Sequence, residues 1–234
     1  MTVIAGADGC PKGWLFVIKN LSTGNIVVRI LPRIDDVLTL EPRPKILAID
    51  VPIGLTEAGP RLCDREARAW LGAPRSSSVF PAPVRSTLQA NTYSEACQLG
   101  VRADGRKLSR QTWDILGKIR EVDTFLRSDP ELKKWIHEVH PEVSFWAWNG
   151  NKAMFHRKKS RAGKVERETL VIPRYGKAYS AATSTLPRGQ YSFDDLLDAF
   201  AALWTAERIY AGEAMNFPSC PPLDSCGLLM EIVA

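Results

Sequence analysis

The chain has 234 residues, of which 45% are hydrophobic and 24% charged, the balance of a globular protein with a sizeable core. No apolar run approaches the roughly 20 residues that a membrane-spanning helix needs, and no basic N-terminal segment is followed by an apolar stretch and a cleavage site. We therefore expect neither a membrane protein nor a secreted one, and we predict a cytoplasmic location.

Charge and cysteine content indicate what kind of partner the protein binds and in which redox compartment it resides. The net charge of +5 mildly favours an anionic partner, and nucleic acid is one candidate. The five cysteines are odd in number and lack the pair spacing of a zinc ribbon, which predicts free thiols in a reducing compartment.

The first part of the chain has the pattern of strands. Residues 3–8, 14–19 and 25–31 are apolar runs separated by the turns "GCPKG" and "STGN", which predicts an antiparallel three-strand meander. A polar, proline-rich link follows. Residues 46–51 then form a continuous apolar run with one acid, which is typical of a central strand buried on both faces.

The middle of the chain has helical spacing of apolar residues. Two helices are predicted, "RLCDREARAWLG" and "LSRQTWDILGKIREVDTFLRSD", with the loop "GAPRSSSVFPAPVRS" between them. The stretch "EVHPEVSFWAW" is predicted as a further strand, over residues 138–146. The basic stretch "HRKKSRAGKVERE" is predicted as a loop that leads into a helix.

The last helix is the most clearly marked element. It covers "YSFDDLLDAFAALWTAERIYAG", with Ser192 as the expected N-cap, and the tail "GLLMEIVA" is predicted as a last short strand. A meander followed by alternating strands and helices predicts an α/β domain with a mixed sheet.

Two acids lie where acids are unexpected. Asp8 and Asp50 each stand at the C-terminal end of an apolar strand. Because a buried, unpaired carboxylate is costly, each needs a partner, a metal ion or an exposed position. The alternative is that each accepts backbone N–H bonds in its turn, a common role for aspartate.

The last helix supplies further acids. Asp195 and Asp198 are three residues apart and share a face. Asp195 also fits a capping box, whereas Asp198 lies a turn further in. The alanine-rich face around Asp198 indicates that something packs closely there. Oxygen ligands of this kind suit Mg²⁺ or Mn²⁺, and two such ions could clamp the oxygens of a phosphodiester.

Seven stretches give the chain a resemblance to a known family. They are "GADGCPKGW", "AIDVPIGL", "CDREAR", "SSSVFPAP", "LSRQTWDILGKIREVD", "EVHPEVSFW" and "DDLLDAFAALWTA". With them the chain resembles domain of unknown function 429, a family described as predicted nucleases of the ribonuclease H-like fold.

The resemblance implies an α/β ribonuclease H-like fold: a mixed five-stranded sheet with an antiparallel three-strand meander, flanked by helices. It implies one domain over residues 1–234, with a helical insertion around 55–135. Bacterial Holliday-junction resolvases of this fold are similar in the placement of four acids, which correspond to Asp8, Asp50, Asp195 and Asp198. The second of these is usually Glu in the resolvases and is the shorter Asp50 here. Glu142 belongs to the family's pattern and is expected to line the metal site.

Basic and hydroxyl residues are candidates for binding the substrate. Arg65, Arg75 and Ser76 could contact phosphates, although the charges of "CDREAR" could equally form surface pairs on a helix. Lys158 and Lys159 belong to a basic stretch that could track a nucleic-acid backbone or be a solvated loop. The histidines of "HEVH" would face opposite sides of a strand, which disfavours a shared metal.

Three functions remain open from the sequence. The favoured one is a nuclease that hydrolyses phosphodiester bonds with carboxylate-bound Mg²⁺ or Mn²⁺. The second is a phosphotransferase or ATPase of the actin-like class, against which the absence of an internal repeat argues. The third is a non-catalytic nucleic-acid-binding module.

Overall fold

A computed structural model describes all residues, 1–234, and its centre is a five-stranded mixed sheet. The strands β1 (Val3–Cys10), β2 (Gly13–Asn20) and β3 (Ile26–Leu31) form the predicted antiparallel meander. Strand β4 (Leu47–Asp50) pairs in parallel with β1, and β5 (Ile136–Glu138) pairs in parallel with β4. The strand order is β3-β2-β1-β4-β5, so β1 and β4 are central. The prediction of an α/β fold with a mixed five-stranded sheet is confirmed.

Six helices flank this sheet. They are α1 (Leu62–Leu71), α2 (Tyr93–Asp104), α3 (Arg110–Ser128), α4 (Pro141–Trp148), α5 (Arg161–Thr185) and α6 (Phe193–Ala211). A two-stranded ribbon of β6 (Asn216–Phe217) and β7 (Ile232–Val233) closes the fold. In the sequence, the three helices α1–α3 all come between β4 and β5, two strands that are neighbours in the sheet.

The strand predicted over residues 138–146 is wrong. Only its first residue belongs to β5, and the apolar remainder forms α4. Pro141 starts that helix, where its fixed φ and missing N–H are favourable. Because most of α4 is buried, its apolar residues continue around the helix, and such a short run has no period that separates helix from strand.

Helix α6 packs directly on the centre of the sheet. Every residue from Leu196 to Ala206 is buried. The close approach depends on Gly6 in β1, where an added Cβ would lie 2.6 Å from the backbone carbon of Ala202 and overlap Leu203 N. The small residues of α6 thus meet a position of β1 that lacks a side chain, as the alanine-rich face predicted.

The opposite face of the sheet is covered by α3. Trp14 and Phe16 of β2 point to this side, together with Ile49 of β4, and they pack against Ile119 and Val122 of α3. The sheet is therefore buried on both faces, which explains why β1 and β4 are apolar along almost their whole length. No helix is both long enough and apolar enough to span a bilayer. All five cysteines are free thiols, as predicted.

Candidate metal centre and cleft

The parallel pairing of β1 and β4 brings the two strand-end acids together. Asp8 is the register partner of Asp50. Side chains alternate along a strand, so Asp8 points to the same face as Gly6, which is the face that α6 covers. Both carboxylates therefore lie at one edge of the sheet, beneath the beginning of α6.

Asp198 of α6 completes a cluster of three carboxylates. One oxygen from each of Asp8, Asp50 and Asp198 lies within 4.8 Å of the other two. Asp8 and Asp198 are buried, whereas Asp50 is partly exposed. The sequence prediction that acids from β1, β4 and the last helix converge is confirmed for these three.

The protein supplies few hydrogen-bond donors to these three carboxylates. Among the three side chains, only that of Asp198 has a hydrogen-bond partner, so Asp8 and Asp50 do not act as turn-capping residues. Burial, followed by the charges of Asp50 and Asp198, raises the pKa of Asp8 well above its usual value. Burial likewise raises the pKa of Asp50 to about 8, against the attraction of Lys158. Such a set of oxygen donors fits a divalent cation such as Mg²⁺ or Mn²⁺.

Lys158 is the cation that the protein itself places in the cluster. Its Nζ donates to Asp198 Oδ2 at 2.7 Å. The attraction of Asp198, with smaller contributions from Asp8 and Asp50, raises the pKa of Lys158. The sequence suggested this lysine only as a phosphate ligand, because its distance in sequence from the acids gave no sign of their contact.

Asp195 has a different position from the other three acids. Its two carboxylate oxygens accept the backbone N–H of Ser192 at 2.8 Å and the Ser192 hydroxyl at 2.7 Å. In return, Ser192 Oγ accepts from the Asp195 N–H, which completes the capping box. Asp195 lines the cleft beside the cluster but already holds the helix N-terminus.

Glu142 is committed to an ion pair. Its Oε1 accepts from Arg167, which is almost completely buried, while its Oε2 is buried without a hydrogen-bond partner. Burial raises the pKa of Glu142. This side chain lines the cleft but lies outside the group of three carboxylates.

The acids open into a cleft of about 780 Å³. Asp8 and Asp50 line it directly, whereas Asp198 does not and contacts the lining residue Lys158. Three segments build the walls: the loop 74–80, the first half of α3, and the loop 157–159. Only six of the 26 lining residues are hydrophobic, so the cleft suits a charged ligand better than an apolar one.

The predicted phosphate ligands divide between the cleft and the outer surface. Arg75, Lys158 and Lys159 line the cleft, whereas Arg65 and Ser76 do not. Arg65 is exposed on α1, and Ser77 and Ser78 line the wall in place of Ser76.

Arg75 is the most distinctive of the basic residues in the cleft. It is only 8% exposed, and its Nε has no hydrogen-bond partner. Its Nη1 donates to His156 O over a long 3.4 Å. The guanidinium thus retains donor capacity that the protein does not satisfy, which is unusual for a buried arginine.

Arg61 is a buried arginine in the cleft lining that the sequence analysis did not single out. It lines the same cleft as Asp8 and Asp50, and donates to Glu138 at 2.7 Å and to Asp64 at 2.6 Å. Glu138 also accepts the N–H of Ile53, and Asp64 that of Ala82, so the network connects the start of α1 to β5 and to two loops. Arg61 and Glu138 are far apart in the chain, and no local pattern predicts their contact.

A comparison with protein families matches residues 6–222 of the chain to the family described as "Protein of unknown function (DUF429)". The fold is thus that of an α/β protein with a carboxylate cluster at the edge of its sheet. The chain belongs to the DUF429 family, as the sequence motifs indicated. No curated protein and no solved structure matches it.

Proposed function

We propose that the protein is a divalent-metal-dependent nuclease of the ribonuclease H-like class, which hydrolyses phosphodiester bonds of nucleic acid. The observation that carries the proposal is the cluster of Asp8, Asp50 and Asp198, whose oxygens converge within 4.8 Å while two of the three carboxylates lack any hydrogen bond from the protein. A purely structural cluster would be expected to satisfy its buried carboxylates.

The order of the elements supports the ribonuclease H-like class. A three-strand meander is followed by a parallel strand, and a late helix lies across the central strand. The acids stand on the first strand, the fourth strand and that helix, which is the placement implied by the resemblance to Holliday-junction resolvases.

Asp8, Asp50 and Asp198 are the residues that would hold the cation. Bound Mg²⁺ or Mn²⁺ would supply charge stabilisation to a phosphoryl oxygen and a more acidic bound water. The carboxylates themselves must be ionised to act as ligands, which the cation favours because it offsets their repulsion.

Basic residues of the cleft would bind the phosphates of the substrate. Arg75 and Lys159 offer N–H donors to phosphate oxygens, and a charge-assisted bond of this kind is stronger than a neutral one. Lys158 lies nearest to the acids and would exchange its contact with Asp198 for one with the phosphate. Burial lowers the pKa of His140 to about 4, so this imidazole in the cleft wall is neutral at pH 7.

The test is cleavage of labelled DNA and RNA oligonucleotides in Mg²⁺ and in Mn²⁺, with EDTA as the blank. We expect metal-dependent cleavage that Asp8→Asn and Asp50→Asn each reduce by at least about 100-fold, since each removes a ligand charge. Asp194→Asn is the control for loss of a carboxylate, because Asp194 lies on the helix that carries Asp198 but outside the cleft. Equal cleavage by Asp8→Asn and Asp194→Asn would refute the proposal, and so would no cleavage of any substrate.

A further inference from the structure

The shape and charge of the cleft bear on how a substrate reaches the three carboxylates. The loop 74–80, the first half of α3 and the loop 157–159 line the cleft together with Asp8 and Asp50, so a substrate reaches these two acids through it. A volume of 780 Å³ corresponds to a cube with an edge of about 9 Å, within the size range of small-ligand pockets. A duplex, whose major groove alone is about 12 Å wide, is too broad to enter it.

The basic stretch, which runs from the loop after α4 into the first turns of α5, does not form a continuous outer track of free charges. Lys158 contacts Asp198, Lys164 lies 3.5 Å from Glu168, and Arg167 is buried against Glu142. Half of the six basic residues in this stretch therefore already have partners inside the protein. The arrangement disfavours the alternative in which the stretch follows a long nucleic-acid backbone.

Of the other three basic residues of this stretch, Arg157 and Lys159 line the cleft and Arg161 does not. Arg157 and Lys159 line the cleft from an exposed loop, and Arg75 lines it from a buried position with an unsatisfied Nε. Lys118, which also lines the cleft, donates to Gly13 O at 2.5 Å and is already engaged. Arg75, Arg157 and Lys159 thus offer donors to the phosphates on either side of one nucleotide.

The cleft lining contains two rings, the phenyl ring of Phe80 and the smaller imidazole of His140, and no tyrosine or tryptophan. Proteins that hold long single strands usually stack successive bases on several aromatic side chains. One phenyl ring beside three cationic groups matches one base and the phosphates on either side of it.

From these observations we infer that the cleft binds a single nucleotide unit at the end of a strand, so that the protein acts on strand ends or very short nucleotides and not on phosphodiesters inside a closed strand or a duplex. This inference rests on the proposed nuclease function and specifies its substrate. A free end can enter the cleft from its mouth, whereas an internal phosphodiester would need the chain to enter and leave through the same opening.

A linear single-stranded oligonucleotide and the same sequence closed into a circle provide the test. Binding is measured in Ca²⁺ by displacement of a fluorescent 5′-phosphorylated dinucleotide, and cleavage in Mn²⁺ by product length. We expect the circle to bind and to be cut at least fivefold less well than the linear strand, which should shorten by one nucleotide at a time. A difference below fivefold overturns end recognition and leaves the nuclease proposal standing. If neither the dinucleotide nor the linear strand binds or is cut, both proposals fail.

Variants in the wall test the same inference by binding alone. The double variant Arg157→Gln, Lys159→Gln should weaken dinucleotide binding at least tenfold. Lys177→Gln is the control for loss of positive charge, because Lys177 is an exposed residue of α5 outside the cleft. Equal affinities of the double variant and the control would show that the wall does not contact the dinucleotide, and would overturn the inference.

Discussion

Lys158 Nζ lies 2.7 Å from Asp198 Oδ2, so the protein carries its own positive charge at the place where we propose a divalent cation. A lysine and a cation that share a carboxylate compete for it. The loop that bears Lys158 must therefore move, or release that contact, when the metal ligands are fully engaged.

Removal of this lysine should strengthen metal binding. In Lys158→Met the three carboxylates lose their internal counter-charge, and we expect the affinity for Mn²⁺ to rise at least tenfold, or about 1.4 kcal/mol. The melting temperature in EDTA should fall at the same time, because the carboxylate repulsion is no longer offset. Lys159→Met is the matched control, since Lys159 has no contact with the cluster. Identical Mn²⁺ titrations of the two variants by calorimetry would contradict the competition.

Loss of one carboxylate should have opposite effects with and without metal. Asp8→Asn keeps the shape of the side chain and removes a buried charge, so we expect the variant to melt at a higher temperature than wild type in EDTA. Wild type should gain about 2.7 kcal/mol at Mn²⁺ 100-fold above its Kd, which is about 5–10 °C for a chain of this length, and the variant should gain much less. Thermal melts in EDTA and in Mn²⁺ separate this outcome from a structural role, for which the variant would be less stable in both.

Stability without metal should fall as the pH rises through the neutral range. The pKa of Asp50 is raised to about 8 in the folded protein, against about 4 in the unfolded chain, so the folded state holds more protons between these values. By linkage, the free energy of unfolding decreases with rising pH over this window. Asp50→Asn should show a shallower decrease in EDTA, measured by urea denaturation at pH 5, 6, 7 and 8.

Added Mn²⁺ gives the converse dependence. Because the ligands must lose protons to bind it, the stabilisation of wild type by Mn²⁺ should be larger at pH 8 than at pH 5.5. In EDTA, if the free energy of unfolding changed with pH equally in wild type and in Asp50→Asn, the raised pKa of Asp50 would be contradicted.

The contact of β1 with α6 should tolerate no side chain at Gly6. A methyl group there overlaps backbone atoms of α6, which cannot move aside as the end of a flexible side chain could, and we expect Gly6→Ala to cost about 3 kcal/mol or more. Gly117→Ala is the control, because Gly117 lies in α3 with open space around it and should gain up to about 1 kcal/mol of helix stability. Denaturant unfolding measures both, and a Gly6→Ala variant as stable as wild type would show that α6 lies further from the sheet.

Local patterns predicted the elements of this site well, and they failed where its parts meet. The sequence could identify the acids near the ends of β1 and β4 and the small residues of α6, because each is unusual for its own local structure. The helical conformation of α4 could not be predicted in this way, because a short buried apolar run has no period that separates helix from strand. The contacts of Lys158 with Asp198 and of Arg61 with Glu138 link residues remote in sequence, and the sequence predicted neither. For the same reason the sequence did not predict the walls of the cleft, which come from the segment between β4 and β5 and from the loop between α4 and α5.

The carboxylate centre draws on opposite regions of the chain, because Asp8 lies on the first strand and Asp198 on the last long helix. A nascent chain has two of its three acids early, but it cannot assemble the centre until α6 has been synthesised and has settled against Gly6. A cell thus makes a chain without the complete centre for nearly the whole time of its synthesis. Binding of the proposed cation would therefore require completed tertiary structure, and a fluorescent or paramagnetic ion bound there would time the final docking step of folding.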